Sequence, residues 1–149
     1  IIAQQPTLAG AYLQLALIQT GGKRHVPQTA VNNLEKALQL GLEAPNQRLI
    51  AHQFLSQYYQ DIDQGQLALQ HLDEAIAALS AIPELKRNVL HTAQLYHLRS
   101  LAHQRQQQHG QARQDADQAL ALAQTAGDEK AITFYQREIE MLHGPNGRR

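Results

Sequence analysis

The chain has 149 residues, 43% hydrophobic and 17% charged, with 13 Lys and Arg balanced by 13 Asp and Glu and no cysteine. That length holds one domain with a modest core. A net charge of zero supplies no general attraction for nucleic acid, and the missing thiols exclude disulfides and Cys chemistry while leaving the compartment open. Ala, Leu and Gln dominate while Val, Ile, Thr and Phe are scarce, a balance that favours helix over strand and predicts an all-α fold. No apolar run approaches the roughly 18 residues of a membrane span. The start, "IIAQQP", has no Met, which suggests a processed protein or a piece of a longer one.

Along the chain, three helical hairpins are expected, over residues 7–42, 46–81 and 86–126. In the first, "AYLQLALIQT" (11–20) is followed by the breakers Gly21, Gly22 and Pro27 and then by "NNLEKALQLG" (32–41). In the second, "LIAHQFLSQYYQ" (49–60) precedes Gly65 and "QHLDEAIAAL" (70–79). In the third, "LYHLRSLAHQRQ" (95–106) precedes Gly110 and "QDADQALALA" (114–123). Each second helix carries a small or apolar residue at offsets of zero, four and seven: Ala30, Leu34, Ala37; Ala68, Leu72, Ala75; Ala112, Ala116, Ala119. At 3.6 residues per turn these lie on one face, where small side chains admit a neighbouring helix. The first helices carry large apolar residues followed by a small one. Tyr12, Leu15 and Ala16 correspond to His52, Leu55 and Ser56, and to Leu98, Leu101 and Ala102. Residues 128–143 form a seventh, capping helix with Asp128 as N-cap after Gly127 and an apolar stripe of Ile132, Tyr135, Ile139 and Leu142. The tail 144–149 is expected to be disordered.

Large-x-x-Leu-small on a first helix and Ala-x3-large-x2-Ala on a second resemble the tetratricopeptide repeat, whose usual period is about 34 residues. Tyr59, three residues after Ser56, matches the aromatic that often closes the first helix. The spacing departs from the family, with 38 residues from Ala37 to Ala75 and 44 from Ala75 to Ala119, and Gln19 and Arg105 stand where the aromatic would be. The resemblance, over roughly residues 8–126, implies an α-α superhelix, a solenoid of antiparallel hairpins forming a single repeat domain over 7–143.

It also implies that the first helices line a concave face. Gln53, Gln57 and Gln60 follow i, i+4, i+7 on the polar side of their helix. If Leu101 and Ala102 match Leu55 and Ser56, then Arg99, His103 and Gln106 are their equivalents. A row of amides both donates and accepts, so these six residues are the candidate contacts for a protein or peptide segment. The stripe holds no Lys or Asn and one Arg, so the clustered carboxylate clamp of some family members is missing. In the first hairpin the matching places hold Leu13 and Leu17. That apolar patch motivates an alternative reading, a structural or self-associating segment of a larger protein.

The eight histidines do not predict a metal site. His91, His97, His103 and His109 come at intervals of six, which turns each about 240° from the last around a helix. His52 sits in a packing position, His71 on a second helix, and His25 and His143 near loops. "GGKRHVPQT" (21–29) lacks the phosphate-cradling Gly-x4-Gly-Lys spacing and reads as a turn. Without a nucleophile–base–acid arrangement, no enzymatic activity and no cofactor are expected.

Overall fold

The computed structural model describes residues 6–142, and those residues form seven α-helices without a strand. Two compact units are distinguished, Ile1–Pro83 and Glu84–Arg149. The predicted tail at 144–149 and the last residue of the predicted capping helix lie outside the described residues.

The first unit holds α1 (Pro6–Thr20), α2 (Gln28–Leu40), α3 (Pro45–Asp61) and α4 (Gly65–Ala78), with a 3-10 turn over Leu79–Ala81. Proline opens α1 and α3 at a position where a missing N–H costs nothing. Gly41 closes α2 at φ 99°, donating its N–H to the carbonyls of Ala37 and Leu38, a left-handed conformation that glycine adopts without a Cβ penalty. The core joins Ala9, Leu13 and Ala16 of α1 to Ala30, Val31, Leu34 and Ala37 of α2, and reaches Ala51 and Leu55 of α3.

This packing corrects the expected face of α1. Leu15, expected to pack, is 44% exposed, while Leu13, expected on an open patch, is 1% exposed. The physical reason is that α1, with Leu8, Leu13, Leu15, Leu17 and Ile18 spread around its circumference, has no single apolar side for periodicity to select. Close approach to α2 selects instead by size. Ala9, Leu13 and Ala16 show the offsets zero, four and seven that mark the second helices.

The second unit holds α5 (Val89–Arg105), α6 (His109–Ala126) and α7 (Glu129–Leu142). Asn88 caps α5 by accepting from the His91 N–H at 2.9 Å. Asp128 does the same for α7, accepting from the Ala131 N–H at 3.0 Å, directly after Gly127 ends α6 at φ 68°. Ala93 of α5, Ala119 and Ala123 of α6 and Tyr135 of α7 form a core of small residues closed by one aromatic ring.

Candidate functional site

The α3–α4 and α5–α6 hairpins turn in the same way, and the turns fix which residues are equivalent. Ile62, Asp63, Gln64 and Ala68 donate their N–H groups to the carbonyls of Tyr58, Gln60, Tyr59 and Gln64. Gln106, Gln107, Gln108 and Ala112 donate to Ala102, Gln104, His103 and Gln108, each partner 44 residues further on. Asp63 at φ 61° and Gln107 at φ 60° fill the same left-handed position.

An offset of 44 replaces the offset of 46 implied by matching Leu101 and Ala102 to Leu55 and Ser56. Ser56 corresponds to Ser100, and the equivalents of Gln53, Gln57 and Gln60 are His97, Leu101 and Gln104. Arg99, His103 and Gln106 instead match Leu55, Tyr59 and Ile62. The two nearly identical alignments are hard to separate in sequence, because both place small residues over small residues. The shared serine marks 44 by identity and not by bonding, since Ser100 Oγ donates 2.7 Å to the Ala112 carbonyl across its hairpin whereas Ser56 Oγ donates 2.7 Å to the Gln53 carbonyl within α3.

On α3, Gln57 is exposed and its Nε2 donates 3.3 Å to the Arg24 carbonyl, while Gln53 and Gln60 are half-buried. Arg99 and His103 turn into the seam between α5 and α6. Arg99 Nε and Nη2 grip Asp115 Oδ2 and Oδ1 at 2.8 and 2.9 Å, and its guanidinium carbon lies 5.5 Å from the Tyr96 ring centre. His103 Nε2 stands 3.6 Å from Asp115 Oδ2, and its Nδ1 meets Gln108 Oε1 at 2.6 Å. Gln106 is half-buried and closes α5. A bidentate pair around a buried carboxylate holds a hairpin together, so these side chains serve the seam. The missed clue was Asp115 itself, an acid adjoining the small-residue face of α6.

The matching seam of the first unit is built from neutral rings. His52 Nδ1 of α3 and His71 Nδ1 of α4 are 2.9 Å apart. The His71 ring stacks parallel to Tyr59 at 5.5 Å, and the Tyr59 hydroxyl donates 3.0 Å to Glu35 Oε1 on α2. Burial lowers the pKa of both histidines. The charges of His71 and Arg48 lower His52 further, whereas Glu35 and Glu74 favour the protonated form of His71. Burial, then the hydrogen bond its hydroxyl donates to the Glu35 carboxylate, raise the Tyr59 phenol above its ordinary value. A cavity of about 240 Å³ beside this seam is lined by Arg48, His52, Glu74 and Ser80, among others.

Among the described residues, no group of three or more His, Cys, Asp or Glu is placed to hold a metal ion, and no helix is long and apolar enough to cross a membrane. No family model matches the chain, and neither a curated protein nor a solved structure matches it.

Proposed function

We propose that the chain is a non-catalytic interaction module of tetratricopeptide-like hairpins, stacked as an α-α superhelix, that receives a protein or peptide segment on the face of α3 bearing Gln53, Gln57 and Gln60. The observation that supports it is that the turn of α3–α4 recurs 44 residues later in α5–α6 while the side chains around it change. Repeat architectures use a constant frame in this way to present variable surfaces. An amide both donates and accepts, so Gln57, whose Nε2 already donates to the Arg24 carbonyl, would still offer its oxygen to the backbone N–H groups of a segment whatever its charge. Arg99, His103 and Gln106 are left out of the proposed contacts, because the first two hold the α5–α6 seam and the third closes α5.

Changing Gln53, Gln57 and Gln60 together to Ala should abolish capture of the partner while the circular dichroism spectrum stays helical. Unaltered capture by the folded variant would move the interface off α3.

One observation favours the second reading, a structural or self-associating segment of a larger protein. Leu8, Leu15 and Ile18 lie on one side of α1 and are 43%, 44% and 75% exposed, and α1 contains no Asp, Glu, Lys, Arg or His. Light scattering across a concentration series distinguishes the readings. Self-association that Ile18→Glu removes supports the second, and a monomer throughout counts against association with itself.

A further inference from the structure

The His52–His71 contact has the geometry of a shared proton. With the nitrogens 2.9 Å apart and the ring centres 5.2 Å apart, both nitrogens lie close to the line joining the rings, so their lone pairs point at each other. Ligands to one metal ion would have to converge on a third point, and these do not. In the neutral pair one Nδ1 carries hydrogen and the other accepts it.

We propose that this contact is a proton-counting latch between α3 and α4, which holds when the pair takes up one proton and opens when it takes up a second. The first proton adds to the Nε2 of the ring that already donates through Nδ1. No hydrogen bond breaks, although burying the new charge makes this step costlier in the folded chain than in the unfolded one. The second proton can enter only at the accepting Nδ1. Two N–H groups and two positive charges would then face each other at hydrogen-bond distance, and the contact must break.

The charged and titratable neighbours on each packed element set the order. Glu35 on α2 and Glu74 on α4 favour a cation on His71, where Tyr59 of α3 supplies a stacked ring. His52 has one carboxylate in its favour, Glu74, and Arg48, one turn before it on α3, against it, while repulsion between two charged rings acts on both alike. His71 therefore takes the first proton and His52 the second. The latch does not depend on the partner-binding reading, although His52 adjoins Gln53 and an opened seam would disturb that face.

The sign of the pH dependence follows from the burial of both rings. Their folded-state pKa values lie below the ordinary 6.5, so the folded chain binds fewer protons than the unfolded one. The contribution is intact above 6.5 and is lost as pH falls through that value toward the lowered folded values.

The test uses the full chain, with denaturant midpoints at about pH 7.5 and about pH 5 for the parent, His52→Gln and His71→Gln. A glutamine amide preserves a polar contact and removes the charge. The parent midpoint should fall on acidification, and each variant should lose about half or more of that fall, the remainder reflecting other half-buried histidines such as His97. In parallel, imidazole 15N shifts of the parent should show two coupled steps, His71 before His52. Equal parent midpoints at the two pH values, an undiminished fall in both variants, or two rings titrating independently would each overturn the latch. Should a variant fail to fold, the 15N titration of the parent decides alone.

Discussion

Position by position, the α3–α4 and α5–α6 hairpins share a backbone turn and fill the space behind it differently. Leu55 and Leu72 become Arg99 and Ala116, while His52 and His71 become Tyr96 and Asp115. In the α3–α4 seam a fully buried leucine stands on each helix beside a pair of neutral imidazoles. In the α5–α6 seam the large residue of α6 is gone, and a longer side chain from α5 crosses to a buried carboxylate. The lesson is that turn hydrogen bonds hold the frame, so the seam is free to be apolar or ionic provided that volume and hydrogen bonding are both satisfied.

The largest expected effect comes from removing that volume where no polar partner can replace it. Leu72 is 1% exposed, and Leu72→Ala should cost about 2–5 kcal/mol through lost apolar contact and the cavity left behind. Its counterpart is already alanine. Ala116→Leu should therefore gain nothing and cost about 1–3 kcal/mol, because Arg99 and Asp115 already occupy the seam. Denaturant unfolding of both variants checks this. A stabilised Ala116→Leu would mean that the α5–α6 seam is underfilled and the volume comparison is wrong.

Charge gives the next largest difference. Asp115→Ala leaves Arg99 without its bidentate acceptor, and since the Arg99 side chain is 22% exposed and can recruit some water, the cost should be about 2–3 kcal/mol, below that of a fully enclosed pair. At the equivalent place, His71→Ala near neutral pH loses one neutral hydrogen bond and should cost about 1 kcal/mol beyond the packing it removes. A double-mutant cycle with Arg99→Met and Asp115→Leu sharpens the contrast, since replacing both partners by apolar groups should recover most of the loss. If the double variant is as unstable as Asp115→Ala, the pair contributes more than its mutual satisfaction.

The helical hairpins could be read from the small-large-small sets on α2 and α4 and the all-alanine set on α6, because small residues at offsets zero and seven let a second helix approach closely. The first helices were less readable. On α1 apolar residues surround the axis, so the true face emerges only from contact with α2, which buries Leu13 and leaves Leu15 out. For the candidate site, Gln57 is exposed, whereas Arg99 and His103 turn into a seam with Asp115. A two-residue change of alignment was enough to move them, and the turn that decides it is a pattern of backbone hydrogen bonds that side-chain identity barely marks. The His52–His71 contact depends on two rotamers meeting across helices, which no spacing within one helix encodes.

The smallest expected effect lies in that shared turn. Asp63 and Gln107 both adopt a left-handed backbone conformation, and both side chains are exposed, so their substitution removes little packing. Aspartate tolerates the conformation better than glutamine, because its short side chain can bond to the local backbone. Glycine relieves the Cβ clash in either case but gives the unfolded chain more freedom to lose. The strain removed from a residue such as Gln107 is about 1–2 kcal/mol and the added entropy cost roughly 0.5–1 kcal/mol. Gln107→Gly should therefore stabilise by roughly 0.5 kcal/mol, while Asp63→Gly should be close to neutral. Denaturant midpoints measured side by side resolve the difference if its sign is right. A Gln107→Gly variant less stable than the parent, beside a neutral Asp63→Gly, would show that the two turns share hydrogen bonds without sharing their strain.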